Sequence, residues 1–294
     1  IISFKDQKYL KHDLPSLLTQ NYSHFEILVC DNNNDPENEI ANWIKTEFPT
    51  ITVVNAGGNV GFGNAHNYMI DHAIKNESKY YFAFNSDMFA DENLINNLVE
   101  RAESDEKIAA ISPKIFTWSS FPEKPTLKND RYIDSTGMIA KASHHFLERG
   151  AGEEDHGQYN NPEEIWGASG AAPFFNISAL QDTKHNPGEY FDKNFFMYKE
   201  DIDMMYRLRW AGYKVFYEPT ALVWHDRTAA DPGGIIANIK ARKSRGTYIK
   251  EHSFLNHLQF LYKNFSPHYS FLTKLKTAFF LAKYFAYLLI FDRQ

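Results

Sequence analysis

The stretch FFMYKEDIDMMYRLRWAGYKVFYEPTALVWH, residues 195–225, holds the residues best suited to chemistry. Glu200, Asp201 and Asp203 fall within four positions at the start of a helical pattern, and the strand-like run after it ends in His225. A carboxylate beside an acceptor hydroxyl can remove its proton as the oxygen attacks, which is general-base work. Asp201 suits that task, because a helix N-terminus favours negative charge and holds an acid's pKa low. Asp203 and Arg207 are four apart and read as a structural ion pair. His225 could complete a metal site with a distant carboxylate, although isolated histidines are usually structural.

Three other constellations end strand-like runs. YYFAFNSDMFADENL finishes a strand in Asn85-Ser86-Asp87. Asp87 could hold Mg²⁺ or Mn²⁺ bridging two phosphates, or could merely cap the helix that starts near Asp91. FEILVCDNNNDPENE puts Asp31 past a buried strand, where it could accept a pyrimidine imide N–H or a ribose hydroxyl, or form an Asx turn. In NAGGNVGFGNAHN, Gly57, Gly58, Gly61 and Gly63 free backbone amides to face an anion or a nucleotide ring. That run lacks the Lys-Ser/Thr ending of an ATPase phosphate loop, and its glycine spacing departs from the dinucleotide fingerprint.

The elements that would carry these residues alternate. IISF, FEILVCD, ITVVNA, YYFAFNSD and IAAISPKIF read as strands, with helices over Tyr9–Thr19, Glu39–Glu47, about Gly63–Lys75 and Asp91–Ala102 between them. Such alternation predicts an α/β fold with a mostly parallel central sheet flanked by helices, whose ligands bind beyond the carboxyl ends of the strands. Residues 117–162 have weak periodicity and read as long loops; a helix over 201–211, the strand KVFYEP and then ALVWH follow.

Bulk properties narrow the function. The chain has 294 residues, 43% hydrophobic and 23% charged, enough for a substantial core. A net charge of −6 argues against a nucleic-acid binder. The single cysteine, Cys30, excludes an intrachain disulfide and fits a reducing compartment. No basic start followed by an apolar run is present, so no secretory leader is expected. Lys274, Lys276 and Lys283 interrupt the apolar C-terminus, which reads as an amphipathic helix on a membrane or a partner, or as a helix packed on its own domain.

The order CDNNNDP, GGNVGFGNAHN, NSD, GASGAAPFF, FFMYKEDIDMMYRLRWAGYKVFYEP and WH resembles the family-two inverting glycosyltransferases, above all the rhamnosyltransferase-like branch that builds bacterial surface polysaccharides such as O-antigen. The resemblance covers roughly residues 1–230 and implies a Rossmann-like GT-A fold. A nucleotide-sugar half would span about 1–115, an acceptor half about 116–230, and a helical extension 231–294. It implies that Asp31 and Asn33 contact base or ribose. Gly58, Asn59, Gly61, Phe62 and Asn64 would line the nucleotide-sugar, with Asn85 and Ser86 beside it. Asp87 and His225 would hold the divalent cation, Asp201 would be the base, and Glu200 would orient sugar hydroxyls. Trp166, Gly167, Ala168, Ser169 and Gly170 would lie under the acceptor. The implied partners are a nucleotide diphosphate sugar and a glycan or lipid-linked acceptor, in the cytoplasm at the inner face of the plasma membrane.

Asn85 stands where relatives carry a first metal-facing carboxylate, which weakens the expected metal affinity. Pro173 and Phe174 stand where relatives often carry an aliphatic and a basic residue. Two rival readings remain open here. A sugar nucleotidylyltransferase would need a basic glycine-rich loop that ISFKDQKYLKHDL does not supply. A non-catalytic carbohydrate-binding scaffold would explain Asn-Ser-Asp but not the retention of Glu200, Asp201 and His225.

Overall fold

The computed structural model describes residues 1–226 and 247–291. Short apolar runs with no polar face become the inner strands, because a central strand is covered on both sides. Strands β1 (Ile2–Ser3), β2 (Leu28–Asp31) and β3 (Thr52–Asn55) pair in parallel in that order. Across β1, a parallel bridge from Ile2 to Asn85 attaches the segment that continues β4 (Tyr80–Phe82).

The sheet then runs from β4 through β11 (Phe174–Asn176) to β6 (Ile108–Thr117) and β12 (Lys214–His225), with the two-residue β10 (Glu163–Glu164) on the far edge of β12. β6 and β12 are parallel, whereas β11 is inserted antiparallel between β4 and β6. The short β5 (Met88–Ala90) lies antiparallel on the end of β12, with Met88 opposite His225. β12 joins into one strand what the sequence suggests as KVFYEP and ALVWH. Its register shifts between Glu218 and Leu222, around Pro219, which has no N–H to donate to a ladder.

Helices cover both faces. On one side α1 (Gln7–Leu18), α2 (Glu39–Glu47) and α4 (Leu94–Glu103) bury Leu10, Leu14, Ile44, Leu94 and Leu98 against the sheet. α4 shows why it forms: Leu94, Ile95, Leu98 and Ala102 fall on one stripe at helical spacing. On the other side lie α3 (Phe62–Lys75), α5 (Ile177–Asp182) and α6 (Glu200–Trp210), with Met69, Ile70, Phe175, Leu180 and Met205 in the core.

The segment expected as loops, 117–162, contains β7 (Ile133–Ser135), which pairs with β6, and a hairpin of β8 (Met138–Ala140) and β9 (Phe146–Glu148). These strands are three residues each, too short for periodicity to reveal. α7 (Thr247–Asn264) and α8 (Phe271–Phe291) follow. α7 is built into the main core: Phe260 is fully buried there beside Leu261. The expected boundary near residue 230 lies outside the described residues, as does the basic run Lys240–Lys250 up to residue 246.

Candidate active site

The carboxyl ends of the parallel strands gather the acidic residues. Asp31 ends β2 and is buried; its Oδ1 accepts from the Asn33 backbone N–H at 3.1 Å and from Asn33 Nδ2 at 2.8 Å, an Asx turn. The asparagines after it knit two loops together. Asn32 donates to Asn59 Oδ1 at 3.1 Å and accepts from Val60 N at 2.8 Å, while Asn34 accepts from Asn59 N at 3.2 Å.

The glycine loop is tight for a reason within the protein. A Cβ at Gly61 (φ +83°) would strike the Phe196 carbonyl, and one at Gly58 (φ +141°) would strike Asn34 Oδ1. The loop therefore closes onto the segment before α6, and Phe62 N donates to the Phe196 carbonyl at 2.7 Å. Asn67 bonds the backbone of Tyr190 and Phe191, a buried structural role, while Asn64 stays half-buried.

Asp87 and His225 meet. His225 Nε2 lies 3.1 Å from Asp87 Oδ1, and its Nδ1 lies 2.9 Å from Asp134 Oδ2. Burial opposes charge on this ring, yet the Asp134 and Asp87 carboxylates outweigh it and push its pKa up to about 9. Asp226 extends the arrangement: its N–H donates to the Asp87 carbonyl at 2.9 Å, and its carboxylate accepts from Tyr9 Oη at 2.7 Å.

A divalent cation suits this donor set. An Asp134 carboxylate holding Nδ1–H leaves the Nε2 lone pair aimed at the Asp87 carboxylate, so a positive charge is needed between them. Without a metal the histidine proton supplies it; a bound metal would displace that proton. Half-exposed Asp87 gives access from solvent, with Asn85 and Ser86 at its side. Asp134, on the short β7, carries no signal in sequence beyond being an acid near aromatics.

A second acidic group opens α6. Glu200 is buried, with Oε2 shut off from solvent and unpartnered; burial and the adjacent Asp201 charge push its pKa up to about 8. Asp201 is half-buried and accepts from the Ile202 N–H at 2.8 Å. A Cβ on Gly170 would lie 2.6 Å from Asp201 Oδ2, so a larger residue there would push the Asp201 carboxylate aside.

The two acidic groups share one edge. Ala171, next to Gly170, accepts from the Asn85 N–H at 3.1 Å, two residues from Asp87. A side-chain route also connects them: Glu148 accepts from Ser135, next to Asp134, at 2.6 Å and from Ser169 at 3.2 Å. Of the rest of that segment, Gly167 and Ala168 pack on Met205, and half-buried Trp166 packs against a tilted Phe146 ring at 5.0 Å and edge-on against Tyr206 at 5.3 Å.

The approach to α6 is strained and held from outside. Phe196, Tyr198 and Lys199 have φ of 54°, 67° and 78°, unusual for non-glycine residues. Buried Asn256 of α7 lies with Nδ2 2.6 Å from the Phe195 carbonyl, 2.7 Å from that of Met197 and 3.0 Å from that of Tyr198. Lys263, also on α7, reaches Asp192 at 2.5 Å and Asp203 at 2.9 Å, and Asn264 donates to Asp203 at 2.9 Å. Asp203 keeps its expected partner Arg207 at 3.0 Å. Burial works against the Asp203 charge, but His185, Arg207, Lys263 and Asn264 hold its pKa well below the carboxylate range. His185, Asp192 and Asp203 are close enough to bind a metal. The Lys263 ammonium already sits among all three, 3.3 Å from His185 Nε2, so the cluster is an ion-pair network.

No curated protein matches the sequence. Among solved structures, GalNAc-T7 with UDP, GalNAc and Mn²⁺ is similar at a TM-score of 0.59 and 12% identity. That match covers 98% of this chain and 56% of the other, so the chain spans little over half that protein's length. The mannosyltransferase PcManGT from Pyrobaculum calidifontis, in complex with GDP-Man and Mn²⁺, is similar at 0.53 and 14% identity, covering 98% of this chain and 68% of that one. S. aureus TarS 1–349 is similar at 0.50 and 14%, covering 97% and 70%. These likenesses establish the GT-A fold. The family model described as Glycosyl transferase family 2 matches residues 1–180, and it is that match, over the strands whose ends gather Asp31 and Asp87, that shows the chain to be a member of glycosyl transferase family 2.

Proposed function

We propose that the chain moves a sugar from a nucleotide diphosphate donor to a hydroxyl of a glycan or lipid-linked acceptor, inverting the anomeric carbon. The observation that carries this reading is the shared edge joining Asp87, His225 and Asp134 to Asp201 through Asn85–Ala171 and Glu148–Ser169. In this reading Asp31 and Asn33 meet the nucleoside, the Gly58–Asn64 loop lines the nucleotide-sugar, and Asp87 with His225 would hold Mn²⁺ or Mg²⁺. The cation, when bound, neutralises charge on the leaving diphosphate.

The acceptor oxygen attacks the anomeric carbon on the face opposite the diphosphate. The bond from that carbon to the diphosphate oxygen breaks, its electron pair leaves with the diphosphate, and the acceptor proton passes to Asp201. Glu200, expected to orient sugar hydroxyls, is buried and acts instead from behind Asp201: holding its own proton, it leaves the pair's negative charge on the residue that needs it. Trp166, with Ser169 and Gly170, borders the acceptor side.

The acceptor reading places the work at the inner face of a membrane, as in assembly of a cell-surface polysaccharide. The rhamnosyltransferase-like resemblance puts rhamnose first among sugars to test, carried on deoxythymidine, uridine or guanosine diphosphate. A thermal-shift panel of these donors with Mn²⁺ tests the function, since a ligand that binds the native state raises its stability. One donor family is expected to stabilise the chain and to be hydrolysed slowly to free nucleoside diphosphate. A panel without any Mn²⁺-dependent shift would contradict the reading.

A further inference from the structure

α8 is apolar on both faces, and only one of them is covered. Its covered positions are Thr277, Phe280, Leu281 and Tyr284 with their helical neighbours, whereas the opposite face is apolar and open. Phe271 is 81% exposed, Leu272 57%, Leu275 54%, Phe279 66% and Leu289 46%, on one stripe that also passes Ala282 and Ala286. A lone exposed leucine needs no explanation, but a continuous stripe along a helix does. Lys276 and Lys283 flank the stripe on one side and Lys274 on the other, and the helix carries no acid. Long lysine stems beside an apolar face match the in-plane geometry of an interfacial helix.

The flank with two lysines opens into a groove of about 410 Å³ between α8 and the β8–β9 hairpin. Lys141, Ser143 and His145 from the hairpin face Lys276 and Lys283 across it, and His145 stacks on Phe280 at 4.7 Å. None of these three lysines has a carboxylate partner among the described residues; the Lys283 ammonium lies 5.8 Å from the Phe279 ring. The next hairpin residue, Phe146, has the Lys199 ammonium 6.0 Å from its ring, and Lys199 immediately precedes Glu200 and Asp201.

We propose that the outward face of α8 docks on an anionic phospholipid bilayer, its apolar stripe entering the acyl boundary while Lys141, Lys276 and Lys283 hold headgroup phosphate in the groove. Charge selects this occupant over a second copy of the chain, because a self-complementary α8 pair would bring like-charged lysines together with no acid to meet them. No helix among the described residues is long and apolar enough to cross a membrane, so the surface lies on the bilayer and does not span it. Docking stands on the geometry of α8 and the β8–β9 hairpin; only its purpose, bringing a lipid-linked acceptor to the Lys199 side of the site, rests on the proposed transferase reading.

Flotation of the full chain with vesicles tests it without any donor or turnover, so a failed transferase reading leaves the result readable. Vesicles of phosphatidylcholine with phosphatidylglycerol should carry the protein, and phosphatidylcholine alone should carry little. The K141Q/K276Q/K283Q variant should partition roughly a hundredfold more weakly, each lysine near an anionic surface being worth about fivefold. The L275S/F279S variant should also detach, and both variants should keep the parent melting temperature. Raised salt should weaken binding of the parent. Equal flotation on neutral and anionic vesicles, or none on either, would overturn the proposal. So would a dimer in light scattering that L275S/F279S dissolves while the parent ignores vesicles.

Discussion

Asp134 acts through His225. Its 2.9 Å contact to Nδ1 fixes which ring nitrogen faces Asp87. Asp134→Asn keeps the shape but can present its amide to Nδ1, turning the ring's lone pair inward. Affinity for Mn²⁺ in the presence of a nucleoside diphosphate should fall about 10–100-fold by calorimetry; unchanged affinity would separate Asp134 from metal binding. Glu200 makes a prediction about stability. Its folded pKa, raised to about 8 by burial and Asp201, exceeds the ordinary 4.5. Between those values the native state keeps a proton that the unfolded chain has released, so this residue's contribution to stability falls as pH rises from about 4.5 to 8. Glu200→Gln removes the effect. Relative to the parent, the variant should gain stability of roughly 3–4 kcal/mol between pH 5 and pH 8, read from denaturant melts. Parallel pH profiles would mean that Glu200 is already ionised in the fold.

At the scale of elements, α7 holds the approach to α6 in place. Residues with positive φ at 196, 198 and 199 persist only where surroundings over-determine them, and Asn256, bonded to three carbonyls there, is the visible restraint. Lys263 and Asn264 tie down Asp192 before the segment and Asp203 after it. Asn256→Ala should cost about 1–3 kcal/mol by leaving buried carbonyls unpaired. Turnover by the folded enzyme should drop roughly tenfold or more as Asp201 shifts. Donor affinity should hold, because Asp31 and Asp87 stand on other elements. If turnover per folded molecule stayed level, Asn256 would be a packing residue only. None of this was legible in TYIKEHSFLNHLQFLYKN, where one asparagine among aromatics is ordinary. The helices α2 and α3 were legible nearly to the residue, since their apolar stripes and flanking glycines or asparagines are local signals.

For the whole molecule, the parallel order of β1 to β4 and the strand ends carrying Asp31 and Asp87 followed from alternation of apolar runs with helices. The meeting of Asp87 with His225 at 3.1 Å was expected from the motif resemblance, each residue ending a strand-like run. The antiparallel β11 was not, since FFN is too short to declare a direction, and Asp134 was hidden because only the β6–β7 pairing brings it to His225. The asparagines and glycines of residues 32–34 and 57–61 looked like ligand contacts and are first of all contacts to each other, a distinction that local sequence cannot draw. The account's central claim is that these distant pieces form one site in which Asp201 receives the acceptor proton. Asp201→Asn, assayed with the stabilising donor and Mn²⁺, tests it most directly. Turnover should fall roughly 10²–10⁴-fold while donor affinity stays within a few-fold of the parent; transfer at near-parent rates would contradict it.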